Sequence, residues 1–252
     1  NKKKINWDER WELLQKIAED AKKHNSQSYD CLVPISGGKD SWYQAYIMSE
    51  KLGLKTLCCI IAPHLPTKEG IHNLNEMIKD LNVDTLKITV KPSTLKKIRT
   101  KNFFVQAEPN WAEHCYVFSG VVNTALLYDI PLIVWGEDVA VEFGGEQHSE
   151  STANALDINE NDLAGGKSIF DWLDSSFSKR DIFFYIYPEK RRLENAGIKS
   201  IYLSHFIRWD GRKHYEFAKE RGFRGREKGP LSGNYINYDN IDEKLCEINI
   251  WL

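Results

Sequence analysis

No Cys-x-x-Cys pair occurs in the chain, so neither a thioredoxin-type redox motif nor a zinc ribbon can be built from it alone. Its five cysteines, Cys31, Cys58, Cys59, Cys115 and Cys246, are an odd number in a chain of 252 residues, which is too long to need covalent staples. They read as reduced thiols of a cytoplasmic protein. Charge of one sign is not in excess either. Lys and Arg total 34, Asp and Glu total 36, and the net charge is -2. That balance offers no global attraction to nucleic acid or to an anionic membrane. Long apolar runs are missing: the longest, 57–62 and 131–135, fall far short of the ~20 residues that span a bilayer. The opening Asn-Lys-Lys-Lys is basic, but no apolar segment follows it, which excludes a signal-peptide reading of this start. There is no internal repeat and no low-complexity tract. Because the first residue is not Met and a helical pattern runs up to Leu252, we expect native residues beyond both ends.

What is present is ordinary globular usage, 42% hydrophobic and 28% charged, enough for one large α/β domain or two small ones. Trp7, Trp11, Leu14, Ala18 and Ala21 form a helical stripe, widened by Leu13 and Ile17. The period then changes. Residues 29–35 are a short apolar run that suits a buried strand, and a helix pattern follows at 40–52. The alternation continues with strands at 56–62 and 84–90 and helices at 67–81, 93–104 and 111–128. Further strands are expected at 131–135 and 200–207, and further helices at 210–221 and 241–252. Strands alternating with helices of this length imply a parallel sheet covered on both faces. Right-handed crossovers put the C-terminal ends of all its strands along one edge. We divide the chain into an N-terminal helix (1–28), a core (29–143), a polar, Gly-rich lid or substrate loop (144–181) and a final part (182–252) that completes the core and adds a C-terminal extension. The loop follows a strand's C-terminal end, where lids and substrate loops occur.

The segment that carries chemistry is Ser36-Gly37-Gly38-Lys39-Asp40-Ser41, between a buried strand and a helix. Two glycines allow close approach of backbone to an anion and a positive φ. The free N–H groups and dipole of the next helix then face that anion. Ser36 and Ser41 add hydroxyls and Lys39 a positive charge. Asp40 repels phosphate unless it holds Mg²⁺, which bridges phosphates. The Walker A pattern G-x-x-x-x-G-K-[ST] does not occur. The structural alternative is a strand–helix turn that merely needs glycine.

SGGKDS resembles the signature of the PP-loop ATP pyrophosphatases, the adenine nucleotide alpha-hydrolase-like superfamily. A narrower resemblance covers most of the chain. YDCLVPISGGKDS, Glu113-His114-Cys115, IPLIVWGED at 130–138, EFGG at 142–145, WDGRK at 209–213 and GPLSGNYINYDNIDEKL from Gly229 are similar to the N-acetyl sugar amidotransferases of lipopolysaccharide and pseudaminic or legionaminic acid pathways. The resemblance implies a five-stranded parallel sheet with ATP across its C-terminal edge. It also implies an enzyme that adenylates a sugar's N-acetyl oxygen and replaces it with nitrogen, giving an acetamidino sugar. Ammonia comes from a separate glutaminase subunit, and the other substrate is an N-acetylated sugar or nucleotide-sugar. A cysteine-rich metal-binding segment ahead of Asn1 is usual in that family, and zinc would belong only there.

The candidate residues follow. Lys39 and Asp40 are catalytic candidates. The nucleotide set is Pro34, Ile35, Ser36, Gly37, Gly38, Lys39, Asp40 and Ser41, with Ala62, Gly136 and Glu137 at other strand ends. Asp40 and Glu142 are the Mg²⁺ candidates; Asp138 and Glu142 read alternatively as solvated loop acids. Substrate candidates are His114, Cys115, Glu142, Gly144, Gly145, Trp209, Asp210, Arg212, Lys213 and Tyr235. Adjacent helical residues do not face each other, so His114 and Cys115 are not a nucleophile–base pair. Arg191, Arg192 and Arg208 belong to the same basic group as Arg212 and Lys213, and Tyr238 accompanies Tyr235. Two rivals remain. A PP-loop tRNA-modifying enzyme predicts a basic face and cysteine pairs. A non-catalytic nucleotide-binding scaffold predicts a decayed loop, whereas SGGKDS is intact.

Overall fold

The computed structural model describes residues 5–24, 28–107, 111–137, 155–156, 169 and 177–245. Five short strands, β1 (Cys31–Ile35), β2 (Thr56–Ile61), β3 (Asp84–Ile88), β4 (Leu132–Trp135) and β5 (Lys199–Tyr202), pair in the order β3-β2-β1-β4-β5. Every pairing is parallel. The helices are α1 (Trp7–Lys23), α2 (Lys39–Tyr46), α3 (Lys68–Leu81), α4 (Pro92–Gln106), α5 (Trp111–Tyr128), α6 (Lys190–Ala196) and α7 (Gly211–Glu220). Among the described residues none is long and apolar enough to cross a membrane.

Central strands of a parallel sheet are buried on both faces, so they read as continuous apolar runs. Cys31, Val33 and Ile35 of β1 pack with Leu14 of α1, Trp42 of α2, Met77 of α3 and Ala218 of α7. Leu32, between them in sequence, points the other way and packs with Phe118 and Val122 of α5 and Leu193 of α6. The expected α/β class, a five-stranded parallel sheet with helices on both faces, is the fold observed. The segment after α7 packs on the same core: Arg224 N–H donates to Asn73 Oδ1 at 2.8 Å, and the Asn73 amide donates to Arg224 O at 2.9 Å.

The chain runs outward through β2 and β3, then returns to the other side of β1 for β4 and β5. The order therefore reverses between β1 and β4, and such a switch point opens a crevice at the strands' C-terminal ends. Pairing of β1 with β4 covers only Cys31 and Leu32, whereas pairing with β2 continues through Ile35. Pro34 has no N–H to give to a ladder. The two strands part where the crevice lies.

Three elements differ most from the sequence reading. The helix expected over 40–52 is regular only to Tyr46; Ile47–Lys51 forms a π turn, in which Leu52 N–H donates to Ile47 O at 3.0 Å. The strand expected over 200–207 ends at Tyr202, and a 3-10 turn, Leu203–His205, takes over, with Ser204 N–H bonded to Gly136 O at 3.0 Å. The helix expected over 241–252 does not begin at Ile241. Glu243 instead bridges Pro66 antiparallel, Thr67 N–H donates to Asp242 O at 3.0 Å, and Lys244 N–H donates to Leu65 O at 3.1 Å. Backbone groups engaged across the molecule cannot also close helical turns. Residues 246–252 lie outside the described residues.

Candidate active site

A cavity of about 600 Å³ occupies the switch-point crevice, lined from four stretches of chain: the loop after β1, Glu137 after β4, Trp209 and Gly211 before and at the start of α7, and Tyr238–Asp242. The loop forms its floor. Gly37 has φ +92°, and a Cβ there would lie 2.8 Å from Leu74 N, so a side chain is excluded both by conformation and by space. Gly38 caps α2 without a side chain, which leaves first-turn N–H donors of the helix for an outside acceptor. Hydroxyls fix the loop: Ser36 Oγ accepts from Gly38 N–H at 3.2 Å, and Ser41 Oγ donates to Gly38 O at 3.0 Å.

Lys39 and Asp40 stand at the centre. The Lys39 ammonium lies 2.6 Å from Asp40 Oδ2 and 2.5 Å from Asp239 Oδ1. Only 8% of Lys39 is exposed. Burial pulls its pKa down, but the charge of Asp40 and the bond to Asp239 outweigh burial and raise it above the ordinary value. Burial likewise pushes Asp40 up. The hydrogen bond from His214 and the Lys39 charge outweigh that push, so the carboxyl lies below its ordinary range and is ionised. His214 Nδ1 is 2.7 Å from Asp40 Oδ1.

Glu137 follows β4 and faces the same cavity. Burial and then the Asp40 charge raise its pKa. Gly136 lets Trp209 come close: a Cβ there would lie 3.0 Å from Gln44 Oε1 and 3.1 Å from the Trp209 ring. The C-terminal wall is stacked on α7 through Tyr215 and Tyr238, whose centroids are 3.7 Å apart. Burial, then the Glu243 charge, raise the pKa of half-buried Asp242, and Ser36 donates to its carboxylate.

Among the described lining residues the charges are Lys39 against Asp40, Glu137, Asp239 and Asp242. Phosphate alone would be repelled there; a divalent cation would relieve the conflict. Hard carboxylate oxygens suit Mg²⁺, and each Asp40 oxygen retains a lone pair beyond its bond to His214 or Lys39. Asp40 and Glu137 are the carboxylates that would hold the ion. Among the described residues no group of three His, Cys, Asp or Glu is gathered as a ready-made metal site.

The structure thus brings together Ser36, Gly38, Lys39, Asp40, Ser41, Glu137 and Trp209 around one cavity, with Gly136 behind Trp209 and with Pro34 and Ile35 ending the strand that leads to it. Other candidates stand apart from it. Ala62 follows β2, its carbonyl accepting from the Tyr116 hydroxyl at 3.2 Å. Cys115 is buried in an apolar cluster with Val90, Leu95 and Ile98, and His114 is on the exposed side of α5. Asp210 caps α7, accepting from Arg212 N–H and Lys213 N–H at 3.2 Å each. Those two backbone bonds hold its carboxyl below the usual range. Arg212 reaches Glu216 at 3.2 Å on the surface, and Lys213 is exposed, as are Arg191, Arg192 and Arg208. Tyr235 is fully exposed, while its neighbour Tyr238 lines the cavity. Asp138, Glu142, Gly144 and Gly145 and most of the loop 144–181 lie outside the described residues.

Three ionisable site residues escaped the sequence reading: His214, Asp239 and Asp242. His214 shares the buried stripe of α7 with Ala218, and a polar residue on such a stripe is a signal. Asp239 and Asp242 sit in an Asn- and Asp-rich tail whose approach to the loop no local pattern announces.

No protein-family model matches the chain, and no curated protein matches it. Solved structures do. NMN synthetase from Francisella tularensis aligns over 86% of this chain and 94% of its own, with 15% identity and a TM-score of 0.42. NH3-dependent NAD synthetase from Campylobacter jejuni subsp. jejuni NCTC 11168, in complex with the nitrate ion, aligns over 86% of both chains, with 16% identity and a TM-score of 0.42. Likeness at this level says nothing of reaction or substrate.

Proposed function

We propose that the chain is an ATP-dependent amidotransferase that converts a sugar's N-acetyl group to an acetamidino group, with AMP and pyrophosphate as products. The carrying observation is convergence. Four segments that resemble the N-acetyl sugar amidotransferases, SGGKDS, WGE, WDG and NYDNID, are far apart in sequence and contribute Lys39, Glu137, Trp209 and Asp239 to one cavity. In this reading the N-acetyl oxygen attacks the α-phosphorus of ATP and pyrophosphate leaves. Ammonia then attacks the imidate carbon and AMP departs. The α2 N-terminus and Lys39 stabilise charge that builds on the phosphates. Asp40 and Glu137 would hold Mg²⁺, which would supply neutralisation of phosphate charge. Trp209 and Tyr238 offer apolar faces, and Asp239 and Asp242 offer acceptors, to a polyhydroxylated sugar. Ammonia is delivered by a separate glutaminase subunit, and the work is done in the cytoplasm. The near-balance of 34 basic against 36 acidic residues and the absence of any Cys-x-x-Cys pair disfavour the tRNA alternative.

The test is pyrophosphate release from ATP with Mg²⁺, ammonium and a panel of N-acetylated sugars and nucleotide-sugars, with the acetamidino product identified by mass spectrometry. Release should require a sugar, and Asp40→Asn should abolish it while the protein stays folded, because asparagine has the same shape and still accepts from His214. Sugar-independent hydrolysis, or near-wild-type turnover by Asp40→Asn, defeats the reading.

A further inference from the structure

We infer that His214 is a positioning residue that holds the Asp40 carboxylate in place at the phosphate loop; its consequence for nucleotide rests on the function proposed above. His214 lies 174 residues from Asp40 in sequence, and its Nδ1 is 2.7 Å from Asp40 Oδ1. An ionised carboxylate only accepts, so Nδ1 carries the hydrogen. The ring cannot swing away. It stacks on Tyr43, centroids 4.3 Å apart and planes 18° apart, and takes the edge of Trp209 at 4.6 Å and 82°. Only 1% of His214 is exposed, so it does not reach a substrate and acts through Asp40.

The arrangement divides the two carboxylate oxygens. Oδ1 belongs to His214 and Oδ2 to Lys39, 2.6 Å away. Without His214, Asp40 has one partner and is free to turn wholly onto the lysine, drawing the ammonium from incoming phosphates. The same contact ties α7 to α2, and Trp209 and Gly211, which line the cavity, immediately precede or begin α7. His214 therefore sets both the carboxylate's orientation and the register of the aromatic wall against the loop. Loss of an orienting partner of this kind typically costs ~10–100-fold in metal affinity or activity.

His214→Phe keeps both ring contacts and deletes only the hydrogen bond. His214→Asn restores a donor, because the amide nitrogen stands where Nδ1 stood. Two measurements use these variants, the first together with Asp40→Ala, which removes both carboxylate oxygens. In a thermal cycle, the Tm of the His214→Phe/Asp40→Ala double variant should equal that of the less stable single, because either substitution deletes the same contact. In calorimetric titration with Mg²⁺-ATP, His214→Phe should bind ~10–100-fold more weakly than wild type, and His214→Asn should recover part of the loss. Additive Tm losses overturn the inference, and so does wild-type affinity in His214→Phe. If wild type itself fails to bind Mg²⁺-ATP while the Tm losses remain non-additive, the nucleotide reading falls and the His214–Asp40 link stands.

Discussion

Glu243 is where burial and charge conflict most openly. The Arg99 guanidinium meets Glu113 and stands 3.5 Å from Glu243 Oε1, so one cation serves two buried acids. Burial first, and the Glu113 charge second, push the Glu243 carboxyl up to about 7. The sign of the stability effect follows. An acid whose folded pKa exceeds its unfolded 4.5 binds protons better when folded, so stability falls as pH rises from 4.5 through about 7. Glu243→Gln should flatten that slope: its urea midpoint should change less than wild type's between about pH 5 and about pH 7.5, and should exceed wild type's at the upper end. Parallel curves would remove Glu243 from the account. Residues of this kind are poorly legible in sequence. Glu243 reads there as one acid in Asp-Glu-Lys, and its partners are more than a hundred residues away. The loop residues Gly37 and Lys39 are legible because SGGKDS is contiguous in sequence, although Leu74 and Asp239 stand beside them in space.

The tail Tyr238–Glu243 behaves as an element although it has no regular structure. Its anchor is the start of α3. Thr67 accepts from Gly70 N–H at 2.9 Å, capping the helix, and its hydroxyl also donates to Ile241 O. Gly70 leaves no room for a Cβ, which would lie 2.6 Å from Asp242 O. One threonine thus serves both helix and tail, and the tail brings Asp239 to Lys39. Thr67→Ala should cost about 1–2 kcal/mol, the usual size of a lost N-cap, measured by urea denaturation. It should also speed amide exchange across 238–243; unchanged exchange there would show that the tail is held elsewhere. Helix α5 was legible to the residue because an 18-residue pattern outvotes its ends. The tail was not. A helical period in 241–252 is a local signal, and bonds to residues 65–67 override it.

At the scale of the molecule, the described residues place the candidate site at a single edge of the sheet, and that follows from topology more than from any motif. Once β4 returns beside β1, the loop after each strand must open onto the same crevice, so SGGKDS and WGE meet without contact in sequence. The alternation of strands and helices made this arrangement legible; the acidity of the cavity was not, because two of its four carboxylates come from the tail.

The proposed function takes its ammonia from a separate glutaminase, a proposal that the purified chain can test. Freeing ammonia from glutamine needs an activated nucleophile, most often a thiolate of lowered pKa in a partly exposed site. The four cysteines among the described residues are all buried. Burial pushes the Cys31 and Cys59 thiols up to about 12 and raises Cys58 as well. Cys115 lies in an apolar cluster. The three strand thiols pack the sheet and are far from thiolate. Ammonium should therefore support pyrophosphate release by the purified chain, more effectively at alkaline pH, where more of it is free ammonia. Glutamine should do so only once a glutaminase is added. Since Cys246 is outside the described residues, the assay is repeated with Cys246→Ser, which should behave as wild type. Turnover on glutamine equal to that on ammonium, with no second protein present, would overturn this assignment and place the nitrogen source within the chain itself.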